Sequence, residues 1–528
     1  MKSIHNHLKS RLEFGTLVDK KRKPVFRSSG LFPIIINENF STRLTFLGYW
    51  FLKRQITEVG VVITCRNQSG EILKRDYMNI DTAKTYTIDS REFLKDNQND
   101  ISDFSGSFEI EIFSTKDMVY PFPAFVINFF NSDFCTAVHS VGRTYNDDED
   151  KSQVESTLVP EAGFDIYETN DLHAFLTFVN GPQLLENGNI KYVITNSKCE
   201  KLDGEINLGK ISPYEMIFLK FHDYVKNLDL FLDNTSGTIS LNHNFEGFFP
   251  RFLVGNIQDS FPSLSITHSY YDCTTCVQDS DYWIQDDARH FDSGITIPLF
   301  LENDFYTDLV IYPIASPSEF VLSIKIFENN GKLISSFPDY INVKTNNKKL
   351  TKINFKKMLE ENNVDLSKAK SAFITADWNL NKIPTRLKYG LNVGIKNKKS
   401  KLPCNICFPS ILANPAIETK PGSFHWCPLL NSGNSVVTLS NSSTIKEYSR
   451  HTNVLLKFYR ENDSEIIERK ITIPPYGNYV FELDNDSEIK EFLGSKPGWV
   501  TANADVPYLY GFYFDFQSSG SVAGDHAF

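Results

Sequence analysis

The sequence predicts an all-β protein of four tandem homologous antiparallel β-sandwich domains, each repeat about 130 residues long and carrying short helical turns. Two recurring patterns and one negative observation lead there. First, a hairpin-like pair of apolar runs returns four times: VVITCRNQSGEILKRDYMNI, IKYVITNSKCEKLDGEINL, VLSIKIFENNGKLISSFPDYINV and VLLKFYRENDSEIIERKITI. In each, polar turn formers separate two apolar runs. Ile63, Ile194, Ile324 and Leu456 fall in register at spacings of 131, 130 and 132. Second, a strand, a proline break and another strand follow each hairpin. The first copy holds Phe108, Ile110 and Ile112 alternating with Glu109 and Glu111, then Pro121 and Pro123, then an apolar run from Ala124. Alternation with period two marks a strand with one buried face, and proline is excluded from a central ladder. Third, no helical pattern exceeds about a dozen residues.

Taken in order, residues 1–28 read as a basic tail, with Lys20 to Lys23 and Arg27 clustered. Its simplest reading is a solvated leader, and the alternative is an arm for an anionic partner. Repeat one spans 29–145 and is followed by the charged linker Asn146 to Asp150. Repeat two spans 160–271, and a junction loop rich in cysteine, aspartate and aromatic residues covers 272–294. Repeat three spans 295–400, a Cys/His junction covers 401–427, and repeat four completes the chain at 428–528. Between hairpin and proline-broken pair, each repeat carries a short amphipathic segment, REFL, FHDYV, FKKML or SEIKEFL, which predicts one or two helical turns at a sheet edge.

The residues with the chemistry of a metal site lie at the junctions. Cys404, Cys407, His425 and Cys427 form C-x2-C-x17-H-x-C, a set of nitrogen and sulfur ligands of the kind zinc takes tetrahedrally. Cys273, Cys276, His290 and Asp292 repeat the arrangement 131 residues earlier with a carboxylate in the last place. A duplicated zinc clip is therefore expected, against the alternatives of unliganded buried thiols or a redox pair. The site with the carboxylate is the better one for an open coordination position. Tyr270, Tyr271, Asp281, Tyr282, Trp283 and Asp286 alternate rings and carboxylates, which suits a glycan: apolar sugar faces stack on rings while carboxylates accept hydroxyl hydrogens. His139, His268 and His526 close three repeats, either as a functional rim or as strand-end imidazoles bonded to turn carbonyls.

A formal net charge of −11 argues against a dedicated nucleic-acid binder, which needs clustered Lys and Arg to neutralise phosphate. No stretch near the start has the apolar core of a secretory signal, and no apolar run approaches the ~20 residues that span a bilayer, so a cytoplasmic location is expected. Eight cysteines in 528 residues are too few for a disulfide scaffold. The closing unit, with ITIPPYGNYVFEL and VPYLYGFYFDF, resembles small sandwich modules such as the sensory rhodopsin transducer proteins over about a fifth of the chain. That resemblance implies a sandwich fold, and no function follows from it. The expected function is a non-catalytic binding or assembly protein directed at a glycan or cell-surface polymer. The alternatives are a zinc-dependent enzyme at the junction of repeats two and three, and a purely structural oligomer.

Overall fold

A computed structural model describes residues 24–95, 102–119, 123–144, 161–269, 282–284, 293–313, 319–344, 349–378, 382–384, 388–409, 411–412, 421–445 and 447–528. They fold as antiparallel β-sheets with few helices. All four predicted hairpins are present, as Val59–Asn67 with Ile72–Ile80, Leu185–Thr195 with Lys201–Ile211, Phe320–Phe327 with Leu333–Val343, and Thr452–Tyr459 with Ile466–Ile473. The inner strand of each hairpin pairs with the strand that precedes the proline break. Thus Ile63, Ile194, Ile324 and Leu456 lie opposite Ile110, Ile239, Ile374 and Ala502, all eight of them buried. Burying one such branched side chain contributes about 1.5–3 kcal/mol, which is why the register recurs at these positions.

One strand order recurs through the chain. In the first copy Arg27–Ile36, Phe104–Ser114, Val59–Asn67 and Ile72–Ile80 lie side by side, and Thr85–Asp89, Ser41–Leu47 and Phe125–Phe130 form a second sheet. In the second copy the sheets are Glu161–Tyr167, Ser236–His243, Leu185–Thr195 and Lys201–Ile211, and then Met216–Lys220, Leu172–Val179, Leu253–Gln258 and Ser263–His268. Residues 293–412 and 423–526 repeat the order, with Ile411–Leu412 added at one edge of the former. The two sheets of a copy pack face to face: Ile190, Ile194 and Leu241 of one meet Leu176, Phe178 and Val254 of the other in a single core.

The predicted amphipathic segments are short helices at Ser90–Leu94, Phe355–Glu361 and Ser487–Leu493. Asp89, Asn354 and Asp486 cap them, each accepting from backbone N–H groups of the first turn. The segment FHDYV makes the 3-10 turn Phe221–Asp223, with no side-chain cap from Lys220, and a short helix follows at Leu228–Leu232; the fourth copy likewise has a 3-10 turn, Leu483–Asn485, ahead of its helix.

By contact the chain divides into two compact units, one running to position 271 and including Glu461–Ser464, the other holding the remainder. Within each unit two copies share a dock. In the first unit the hairpin turn at Gln68 accepts the Met216 N–H at 2.9 Å, Gly70 (φ +92°) lies against the Pro213 carbonyl, and the Arg66 guanidinium sits 3.9 Å over the Tyr214 ring. In the second unit Asn329 accepts the Asn478 N–H at 3.0 Å, Gly331 (φ +81°) lies against the Pro475 carbonyl, and Phe327 stacks on Tyr476. Tyr214 and Tyr476 both adopt left-handed backbone, at φ 59° and 58°. In the second unit Val436, Phe512, Phe514 and Val522 join the core of the preceding copy, so the two sandwiches there have no solvent layer between them.

Several boundaries shift from those expected. Arg27 belongs to the first strand and pairs with Glu111 at 2.8 Å, so it is not part of a solvated tail. The segment 401–427, read as a junction, supplies two core strands, Cys404–Pro409 of one copy and Ser423–Leu429 of the next. Cys404, Ile406, Cys407 and Phe408 of the first and Trp426, Cys427 and Leu429 of the second are buried, on both faces of each strand.

Candidate functional site

Cys404 and Cys407 sit three residues apart on one continuous strand, paired to Val393 and Gly390. An extended chain turns such positions to opposite faces. Cys404 accordingly packs in the core with Ile406 and Phe408, while Cys407 is buried on the other face. The expected turn, which would have aimed both thiols at one ion, is strand instead. His425 and Cys427 share one face of Ser423–Leu429 and line an apolar pocket with Leu456, Phe458 and Val500. Burial pushes the Cys404 thiol up to about 12 and the Cys427 thiol higher still. Among the described residues, no group of three or more ligating side chains close enough to share an ion includes any of these four.

Cys273, Cys276, His290 and Asp292 lie outside the described residues, as do Tyr270, Tyr271, Asp281 and Asp286. Tyr282 and Trp283 belong to a short strand, Tyr282–Ile284, that pairs with Lys382–Pro384 in the connection between Ser371–Trp378 and Lys388–Ile395. Of the closing histidines, His139 and His268 meet edge to face with ring centroids 4.9 Å apart. His268 Nδ1 lies 2.7 Å from the Ser269 carbonyl, and His526 Nδ1 lies 3.0 Å from that of Ala527. Both contacts are of the strand-end kind.

Among the described residues, the densest gathering of ligating groups within one unit lies outside every motif named above. At one end of the second sandwich three turns converge. The first joins Glu161–Tyr167 to Leu172–Val179 and is closed by Thr169 N–H donating to the Leu172 carbonyl at 2.9 Å, which sets Glu168 opposite His173 across the bridge. The second is the uncapped 3-10 turn, which presents His222. The third follows Leu253–Gln258 and is held by Asp171, whose carbonyl and carboxylate accept the N–H groups of Asp259 and Ser260.

Glu168 is 4 % exposed, and its Oε1 lies 2.5 Å from His173 Nδ1 and 3.0 Å from His222 Nδ1. An ionised carboxylate only accepts, so both Nδ1 atoms donate to it. On the far side of each ring stands another carboxylate: Asp259 Oδ2 is 3.0 Å from His173 Nε2, and Asp223 Oδ1 is 3.5 Å from His222 Nε2. The rings meet edge to face at 4.7 Å. Glu168 Oε2 is buried and has no hydrogen-bond partner. Chemically the arrangement can hold protons on two imidazoles or one cation among Glu168, His173 and His222, whose ligand atoms all lie within 4.8 Å of one another.

No family model matches the chain, and a search of curated proteins finds none similar to it. Among the described residues no helix is long and apolar enough to cross a membrane.

Proposed function

We propose that this chain is a non-catalytic binding or assembly protein, made of four sandwiches that descend from one ancestor and are locked in rigid pairs. The carrying observation is the dock. Its parts recur at one spacing: Gly70 and Gly331 are 261 residues apart, Tyr214 and Tyr476 are 262 apart, and the same backbone hydrogen bond closes both. A contact reproduced in this detail, with left-handed tyrosines in both copies, supports duplication of a sandwich pair that works as one rigid body. Rigid platforms favour recognition by their loops, since little conformational entropy is lost there on binding.

The ligand class we assign is a glycan or cell-surface polymer, recognised by the aromatic and acidic stretch around Tyr282 and Trp283. Pairing of Tyr282–Ile284 with Lys382–Pro384 supports this by tying the aromatic stretch to the second unit. The test is retention of the full chain on a panel of immobilised polysaccharides. Retention by at least one polymer, falling about tenfold or more in Trp283→Ala, is expected, since one stacked ring is worth on the order of 1 kcal/mol or more. Retention unchanged by Trp283→Ala and Tyr282→Ala, or none on any polymer, would overturn the assignment.

A further inference from the structure

We infer that Glu168, His173 and His222 form a divalent transition-metal site, taking zinc or an ion of its class, distinct from every cysteine position. Two imidazole nitrogens and one carboxylate oxygen are a ligand set that zinc accepts while keeping a fourth position for water. Three features of the site point to a cation. Its ligand atoms already lie within 4.8 Å of one another, against roughly 3.3 Å between ligands around a tetrahedral zinc with bonds near 2.0–2.1 Å. Glu168 Oε1, at 2.5 and 3.0 Å from the two Nδ1 atoms, needs only to draw back slightly from them to reach that spacing.

The outer contacts are those of a metal centre. A ligating histidine fixes its ring by donating the other N–H to a carboxylate, and His173 does so to Asp259, while Asp223 stands beside Nε2 of His222. Moreover, the buried Glu168 Oε2 makes no hydrogen bond. A carboxylate oxygen so placed is costly unless a cation completes it. Among the described residues no lysine or arginine pairs with Glu168, Asp223 or Asp259. On binding, the ion takes the place of the two Nδ1 protons, which leave to solvent. The side chains of His173 and His222 are 14 % and 33 % exposed, which leaves a path for both.

The site belongs to the second sandwich and not to the repeat as such. In the first copy the same turn is closed by Asn37 N–H donating to the Phe40 carbonyl at 2.9 Å, and the positions equivalent to Glu168 and His173 hold Ile36 and Ser41. A scaffold role shared by all copies would not require the change from a fully buried isoleucine to a carboxylate.

The full chain, stripped with chelator and re-equilibrated with zinc, is the material for the test, with bound metal counted by elemental analysis. Wild type is expected to hold one more zinc per chain than Glu168→Gln or His222→Gln, whatever the cysteines bind. Asp259→Asn is expected to weaken that zinc about 10–100-fold, as removal of an outer-shell partner does. Cobalt at the same site is expected to show ligand-field absorption without thiolate charge transfer. If Glu168→Gln fails to fold, His222→Gln decides, because that side chain is partly exposed. Equal zinc content in wild type and the folded variants would overturn the inference and leave a protonated histidine–carboxylate cluster.

Discussion

The dock between paired sandwiches makes a quantitative claim that two glycines separate. Gly70 and Gly209 both belong to the first unit and both have left-handed backbone, at φ +92° and +64°. Alanine at either costs about 1–2 kcal/mol for placing a Cβ in that region. At Gly209 a Cβ would meet nothing within 4 Å, so the cost ends there. At Gly70 it would stand 2.1 Å from the Pro213 carbonyl oxygen, an impossible separation, and Pro213 must move. That movement breaks the hydrogen bond from Met216 N–H to Gln68, worth about 1 kcal/mol, and loosens Arg66 from the Tyr214 ring, worth about 0.5–2 kcal/mol. Gly70→Ala should therefore lose about 2 kcal/mol more than Gly209→Ala. Calorimetry on the full chain reads this as a further drop of about 4–8 °C in the transition of the first unit. Equal losses in the two variants would refute the claim that this turn carries the dock. Gly331→Ala, whose Cβ would stand 2.2 Å from the Pro475 carbonyl oxygen, should reproduce the larger effect in the second unit.

Other perturbations have definite expected outcomes. Arg66 and Glu109 pair at 2.8 Å with side chains 8 % and 5 % exposed, so Arg66→Met should cost about 3–5 kcal/mol by stranding a buried carboxylate. Adding Glu109→Leu should recover part of that loss in urea unfolding, and a double variant no better than the single would contradict the reasoning. Burial raises the thiols of Cys65 and Cys404 from 9.0 to about 12, so the native chain should resist alkylation at these positions until it is unfolded. Peptide mapping after labelling at mild pH reads this directly, and rapid native labelling of Cys404 would contradict its burial. The same shifts set the sign of the alkaline response. Below pH 9 both states carry the protons and the thiols add no pH dependence. Between about pH 9 and 12 only the unfolded state releases them, so stability should fall by about 1.4 kcal/mol per pH unit for each thiol. A flat stability profile through that interval would argue against the cause.

Local chemistry made the hairpins and capped turns legible. Phe108, Ile110 and Ile112 alternate with Glu109 and Glu111 at the period of a strand, and Asp89, Asn354 and Asp486 each stand directly before a helical turn with an oxygen ready for its first N–H groups. The spacing of Ile63, Ile194, Ile324 and Leu456 likewise survives as a common place in four sheets. At Cys404 and Cys407 one short pattern serves two geometries. C-x2-C on a turn aims two thiols together, while on a strand it aims them apart, and NIC between Cys404 and Phe408 is apolar enough to be either. Whether neighbours cover both faces decides the matter, and neighbours are a tertiary fact.

The cluster at Glu168 shows the same division more sharply. Its first half was readable, since Glu168 and His173 flank four turn residues and must face each other across a hairpin. His222 lies 54 residues from Glu168, in a segment resembling three helical turns elsewhere in the chain, and Asp259 lies farther still. Period and propensity act over a few residues and so determine strands, turns and caps. Which turns meet at the end of a sandwich depends on the pairing of strands remote in sequence, and only the folded chain brings those carboxylates and imidazoles to one point.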